Sequence, residues 1–245
     1  MVFSTLTKLI LAPIYYLIHH NYLFGLLHKT FIKKFNYKNL SFELNIKGIP
    51  IQNHSSYLFN TYEYNDRKLI EKHVSKKNKS IVLGGGIGFI PVLAYKKSNN
   101  QILIFEVNKN IIPNLRKNLV NNNVIFKIYN NNLVFKKTKN KLFYLTEDFL
   151  STSSKVVTKS KILIKNLEKN KIKNFSNFNT LIVDIEGDED YYTLNINKFE
   201  NIKYLFFELH HNIIKKEKVN KIMNTLFKNK FKLEDKCFNS YYFKR

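Results

Sequence analysis

Residues 80–88 read SIVLGGGIG, and residues 101–106 read QILIFE. Ile81–Leu83 is a short apolar run of the kind that fills a buried parallel strand. It breaks into Gly84, Gly85, Gly86 and Gly88. Glycines at the end of such a strand permit positive φ and let the backbone approach a ligand with no Cβ in the way. The second apolar run, Gln101–Phe105, carries Glu106 to the same edge of the sheet, where its carboxylate can accept hydrogen bonds from both ribose hydroxyls. Gly84, Gly86 and Gly88 fit G-x-G-x-G, whereas the dinucleotide fingerprint needs its third glycine where Phe89 stands. The spacing favours an adenosine ligand over a pyrophosphate. A structural glycine turn that binds nothing is the alternative.

Working outward, Tyr62–Val74 has apolar spacing at Leu69, Ile70 and Val74 and predicts a helix leading into the first strand. Phe89–Lys97 predicts a helix with its N-terminal amides facing the ligand, Pro91 being tolerated in its first turn. Ile111–Val120 is the next helix. Residues 124–178 alternate apolar and polar positions and predict strands and hairpins, and residues 40–60 predict short strands and turns. Thr180–Val183 and Tyr204–Phe207 are further buried strands, Asn212–Lys228 is an amphipathic helix, and Phe231–Glu234 with Tyr241–Lys244 forms a closing hairpin. Strands alternating with helices imply an α/β fold with a mostly parallel sheet, to which the hairpin adds an antiparallel strand at one edge.

The chain has 245 residues, 41 Lys and Arg against 18 Asp and Glu, and a formal net charge of +23. Such a balance suits a polyanionic partner or an anionic membrane surface. The lysines, however, are spread along the whole length among abundant Asn, Ile, Phe and Tyr, the pattern of a coding bias toward AT-rich codons. The single Cys237 excludes an internal disulfide and a cysteine-based metal cluster, and fits a reducing cytoplasm. Residues 1–36 read as one or two helices interrupted at Pro13, and residues 1–44 as an N-terminal helical extension of a domain spanning 45–245. The apolar span Leu9–Ile18 is too short to cross a bilayer, which needs roughly twenty residues, and no small-residue cleavage site follows it. Its flanks, Lys8, His19, His20, His28, Lys29, Lys33 and Lys34, leave peripheral membrane contact open beside packing on the domain or a partner subunit.

ThrTyrGlu at 61–63, LGGGIGF at 83–89, FEVN at 105–108, NLVNNN at 118–123, LIVDIEGDE at 181–189 and FFELH at 206–210 together resemble the FkbM family of S-adenosylmethionine-dependent methyltransferases. The resemblance runs over residues 45–245. It implies a Rossmann-like class I methyltransferase fold, a seven-stranded sheet ending in a hairpin, and methyl transfer to a hydroxyl of a saccharide, glycolipid or related small molecule. It implies S-adenosylmethionine held by Glu63, Leu83, Gly84, Gly85, Gly86, Gly88, Glu106, Val107 and Asp184. Val82 stands where such enzymes carry an acid for the cofactor's methionine end, which leaves that role to Glu63 or a backbone group. Val107 replaces a frequent proline.

Ligands of open α/β sheets sit beyond the carboxyl ends of the strands. That rule gathers the glycine loop, Glu106, Asp184, Glu186 and Glu208–His210 around one crevice. The sulfonium is already electrophilic, so alignment dominates, but the acceptor hydroxyl must lose its proton. His210, ordinarily titrating near neutrality, is the first candidate base, with Asp184 as base or substrate clamp and Glu208 beside them. The run Asp184, Glu186, Asp188, Glu189, Asp190 raises a Mg²⁺ or Ca²⁺ site on Asp184 and Glu186, though the glycine falls at the wrong place for an EF-hand. Otherwise no metal is expected, with Asp188–Asp190 opening a helix and His211 pointing away. RNA ribose methylation and a catalytically silent binding module remain as alternatives. No Asn/Asp-Pro-Pro-aromatic motif for base amines is present.

Overall fold

A computed structural model describes residues 22–32, 34–44, 49–145, 152–153, 161–185, 187–210 and 214–245. Pro13, the span Leu9–Ile18, Lys8, His19, His20, Lys33, Glu186 and His211 lie outside the described residues. In chain order the first half contains α1 (Tyr22–Phe31), β1 (Lys34–Tyr37), β2 (Leu40–Glu43), α2 (His54–Leu58), α3 (Tyr64–His73), β3 (Ser80–Leu83), α4 (Phe89–Ser98), β4 (Ile102–Phe105), α5 (Ile112–Asn121) and β5 (Phe126–Tyr129). Then follow the short strands β6 (Asn132–Val134), β7 (Lys141–Leu145), β8 (Thr152–Ser153), β9 (Lys161–Ile164) and β10 (Asn166–Glu168). The last part contains β11 (Thr180–Val183), α6 (Glu189–Leu194), β12 (Tyr204–Glu208), α7 (Lys216–Lys228), β13 (Lys232–Cys237) and β14 (Ser240–Lys244).

The seven-stranded sheet has the order β13-β14-β12-β11-β3-β4-β5. Strands β12, β11, β3, β4 and β5 pair in parallel. The antiparallel strand is not at the edge, as the hairpin alone suggests. β14 lies between β12 and β13 and is antiparallel to both, so β13 is the edge and runs with the parallel strands. Composition explains the order. Ser240–Phe243 is buried, while β13 carries Lys232, Glu234, Asp235 and Lys236, and charged side chains suit an exposed edge.

Alternate residues of these strands feed two cores, as the period of two requires when both sheet faces are covered. Val82, Ile104, Ile182 and Phe206 meet Leu69 and Ile70 of α3, Val92 of α4 and Leu115 and Leu119 of α5. Ile81, Leu83, Phe105, Val183 and Phe207 meet Tyr192 of α6 and Ile222 and Leu226 of α7.

Residues 34–36, read above as helix, form instead the first strand of an antiparallel β-hairpin whose second strand, Leu40–Glu43, falls where short strands and turns were expected. Phe35 with Phe42 follows the strand period, and the turn carries Lys38 at φ 53°. Phe35 and Phe42 pack edge-on to Phe89 with centroids 5.0 and 5.2 Å apart, inside the first of the two cores. Helix α1 buries Gly25 and His28 and leaves Tyr22, Leu23, Leu26, Leu27 and Phe31 exposed. His28, read above as a surface flank, faces His54, with their Nδ1 atoms 3.3 Å apart. Burial lowers the pKa of both rings, that of His54 to about 4. Among the described residues no helix is long and apolar enough to cross a membrane.

The free edge of β2 is satisfied by a helix rather than a strand. Asn114, Asn118 and Asn122 recur every fourth residue, which places them on one face of α5 and the turn that follows it. The Asn118 side chain accepts from the Glu43 N–H at 2.7 Å and donates to the carbonyls of Glu43 and Ile87 at 3.0 and 2.8 Å. Asn122 accepts from the Ser41 N–H at 3.3 Å and donates to Ser41 O at 2.9 Å, and Asn114 donates to Glu43 O at 2.8 Å. Through the Ile87 carbonyl the same ladder clamps the glycine loop. Leaving buried backbone groups without partners costs about 1–3 kcal/mol each. Asn118→Ala is therefore expected to lower unfolding free energy by at least about 2 kcal/mol in urea titrations. The exposed neighbour variant Asn121→Ala should stay within about 0.5 kcal/mol of wild type.

Candidate functional site

The chain reverses strand order between β3 and β11: from β3 it proceeds outward through β4 and β5, from β11 through β12. In such sheets the crevice at the reversal is where ligands bind. The loop after β3 is stitched to both neighbours, with Gly84 N–H donating to Phe105 O at 2.9 Å and Asp184 N–H donating to Leu83 O at 3.0 Å. Gly84 sits at φ +89°, and a Cβ there would lie 1.9 Å from the Asp184 carbonyl oxygen. Gly86, at φ +51°, instead faces open space, with only Glu63 Oε1 and Tyr62 Oη within 4 Å of a Cβ built on it.

Glu106 closes the loop from the β4 side. Its Oε2 accepts from Gly85 N–H at 2.8 Å and Gly86 N–H at 3.2 Å, and its Oε1 accepts from Asn108 N–H at 2.7 Å. A carboxylate offers about four lone-pair positions, so acceptor capacity remains on it. Burial pushes the Glu106 carboxyl from 4.5 up to about 7, and the three backbone N–H groups oppose that rise.

The cavity here is walled by Tyr62, Glu63, Leu83, Gly84, Gly85, Gly86, Ile90, Phe105, Glu106, Val107, Asn131, Asn132, Leu133, Phe143, Asp184, Ile185, Asp188 and Tyr192. Every residue expected at the cofactor is in this wall except Gly88. That glycine caps α4 at φ 95° and packs against Leu115 instead. Val82 is fully buried between Ile104 and Ile182 in register. The carboxylate beside the loop comes from Glu63, which precedes α3 in the left-handed region at φ 45°.

Glu208 and His210 stand behind Asp184 rather than in the cavity wall. One ligand-type atom from each of Asp184, Glu208 and His210 falls within 4.8 Å of the others. Glu189, wholly buried at the start of α6, accepts from His210 Nδ1 at 2.5 Å, which leaves Nε2 facing Glu208 Oε2 at 4.0 Å. The pKa values follow from this crowding. Burial opposes protonation of His210, but the Glu189 hydrogen bond and the charges of Asp184, Glu189 and Glu208 together push it up to about 10. The imidazole is thus a cation at neutral pH and does not have the near-neutral pKa that made it the first candidate base. Burial, then the charge of Asp184, raises Glu208 to about 7, and burial raises Asp184. Burial and the Asp184 and Glu208 charges raise Glu63 to about 8. The proton-accepting capacity near neutrality therefore sits on the carboxylates.

Glu189, Asp66 and Tyr62 were missed as site residues. Asp66 follows Glu63 by three positions, which places both on one face of α3, and its carboxyl is raised well above 3.8 by burial and by Asp184, Glu208 and Glu63. Glu189 belongs to the acidic run but only the turn into α6 points it inward. Asp188 and Asp190, both buried, instead pair with Lys141 at 2.5 Å and Lys218 at 2.9 Å, and Asp188 also lines the cavity.

No family model matches the chain, and no curated protein matches its sequence. Among solved structures, the ribosomal protein L11 methylase of Lactobacillus delbrueckii subsp. bulgaricus aligns with a TM-score of 0.50 at 11% identity, over 86% of this chain and 98% of that one. M. jannaschii TYW2 in complex with AdoMet aligns at 0.45 and 13% identity, over 86% and 85%. An uncharacterized protein from Listeria monocytogenes serotype 4b aligns at 0.44 and 8% identity over 73% of this chain, which spans 64% of that relative's length. With the sheet order above, the first of these defines the class: a Rossmann-like class I methyltransferase fold.

Glu106 links the site to stability. Between pH 4.5 and about 7 the folded protein holds a proton on Glu106 that the unfolded chain has released. Its stabilising contribution is present below the lower value and is lost as pH rises through the upper one. Thermal melts of the ligand-free protein from about pH 5 to about pH 8 should fall with pH, and Glu106→Gln should flatten part of that slope. Parallel slopes would refute the assignment.

Proposed function

We propose that this chain is an S-adenosylmethionine-dependent methyltransferase, of the FkbM family that its motifs resemble, acting on a hydroxyl of a saccharide, glycolipid or related small molecule. The observation that carries this reading is the polarity of the cavity. Among the described residues its wall holds Glu63, Glu106, Asp184 and Asp188 and no lysine or arginine, in a chain of net charge +23, with Lys141 paired to Asp188 from outside the wall. Carboxylates accept hydrogen bonds from hydroxyl groups and repel phosphodiesters, so a neutral polyhydroxyl acceptor suits the cavity better than an RNA strand. The shared fold with a methylase supports methyl transfer.

The residues fit the cofactor. Glu106 has acceptor capacity for ribose hydroxyls, and Phe105, Val107 and Leu133 supply apolar surface beside it. Among the described residues Glu63 has a buried Oε2 with no hydrogen-bond partner beside Gly86, where a cationic group would return its raised carboxyl to the ionised form. That carboxylate answers the loss at Val82 and supports an active rather than a silent protein. The cofactor, when bound, supplies a methyl group activated by its sulfonium. The chain's own part is to align the acceptor oxygen and to receive its proton on the Asp184–Glu208 carboxylates, with the cationic His210 holding them in place.

Calorimetric titration with S-adenosylmethionine and S-adenosylhomocysteine tests the reading. Wild type is expected to bind in the micromolar range, and Glu106→Ala to bind at least about 100-fold more weakly, the loss of two charge-assisted hydrogen bonds of roughly 1.5 kcal/mol each. His210→Ala should bind near normally and turn over more slowly on a glycan or nucleotide-sugar acceptor. No heat at millimolar cofactor would overturn the assignment.

A further inference from the structure

The innermost acids lack the cations that the outer ones have. Asp188 and Asp190 each pair with a lysine, whereas among the described residues the ion pairs of Glu208 and Glu189 involve only His210. Asp184 and Glu63 line the cavity, and Glu208 and Asp66 lie near enough to act on them through their charges. Among the described residues two further buried carboxylate oxygens, Glu189 Oε2 and Glu63 Oε2, have no hydrogen-bond partner. Orphaned buried oxygens of this kind are rare and costly unless a proton or a cation satisfies them.

We infer that Asp184, Glu208 and His210 form a binding site for a divalent transition-metal ion, with Glu189 orienting the histidine. The donor atoms lie within 4.8 Å of one another, so small side-chain rotations bring them to a common ion. A metal-bound histidine typically gives its other ring N–H to a carboxylate, and His210 Nδ1 does so to Glu189 while Nε2 faces Glu208, so that the ion takes the place of the Nε2 proton, which is released to solvent. Two carboxylates and one imidazole suit Mn²⁺ better than Mg²⁺, which prefers all-oxygen surroundings. Three protein ligands leave open positions, and Asp184 places them at the cavity floor. There an acceptor hydroxyl bound to the ion would be acidified. That role rests on the methyltransferase reading; the existence of the site does not.

The test uses the untagged full chain, stripped with chelator and free of cofactor, titrated with MnCl2 while the free-ion paramagnetic resonance signal is followed. Saturable binding of one ion per chain is expected. It should weaken at least about tenfold in Glu208→Gln and His210→Ala, and by a similar factor in Glu189→Gln, which removes only the orienting charge. Glu106→Ala, across the cavity, should bind Mn²⁺ as wild type does even as it loses S-adenosylmethionine, so the two readings fail separately. No saturable binding up to millimolar Mn²⁺ overturns the proposal, as does binding that Glu189→Gln and Glu208→Gln leave unchanged in folded protein. If Glu208→Gln and His210→Ala do not fold, Glu189→Gln decides.

Discussion

The contact between Gly84 and the Asp184 carbonyl is the constraint on which the site depends. A side chain at 84 would place a carbon 1.9 Å from that oxygen, so only glycine lets the β3 loop lie directly against the end of β11. With the two strand ends in register, Glu106 reaches the loop from one side and Asp184 lines the cavity from the other. Loosening this junction would separate Glu106 from the acid cluster, although the two belong to different strands.

Electrostatics set the second level. A chain with 41 basic and 18 acidic residues brings several of its few acids into one buried pocket. Burial makes each carboxylate reluctant to ionise, and their mutual repulsion adds to this. The single imidazolium of His210 relieves part of it, which is why its pKa climbs while those of its neighbours climb too. Upward shifts of this kind are the arrangement by which a site can hold protons near neutral pH.

The asparagines show how composition can conceal structure. Their abundance reads as codon bias, yet Asn114, Asn118 and Asn122 serve as a surrogate strand for β2 and clamp the loop through Ile87. An amide carries both a donor and an acceptor, so a helical row of amides can match the alternating N–H and C=O groups of a strand edge. The period of four was readable; its partner was not, because a short strand at residues 40–43 does not by itself show which helix covers its edge.

The order of buried strands, the glycine loop and Glu106 were legible in the sequence because each follows from local rules: apolar runs, positive φ and an acid at a strand end. Glu63, Val107 and Asp184, which the family resemblance implied, line the same cavity, whereas Gly88 caps α4 and packs against Leu115. Tertiary structure alone decided the rest. It moved β14 inward of the charged edge strand β13, aimed Glu189 at His210 while its neighbours pair with lysines, and set Glu63 beside the glycine loop in the cavity wall. It also converted His210 from a neutral-pH base candidate into a cation. The physical reason is common to all four: burial and the field of distant carboxylates depend on which elements meet, and no local sequence pattern encodes that.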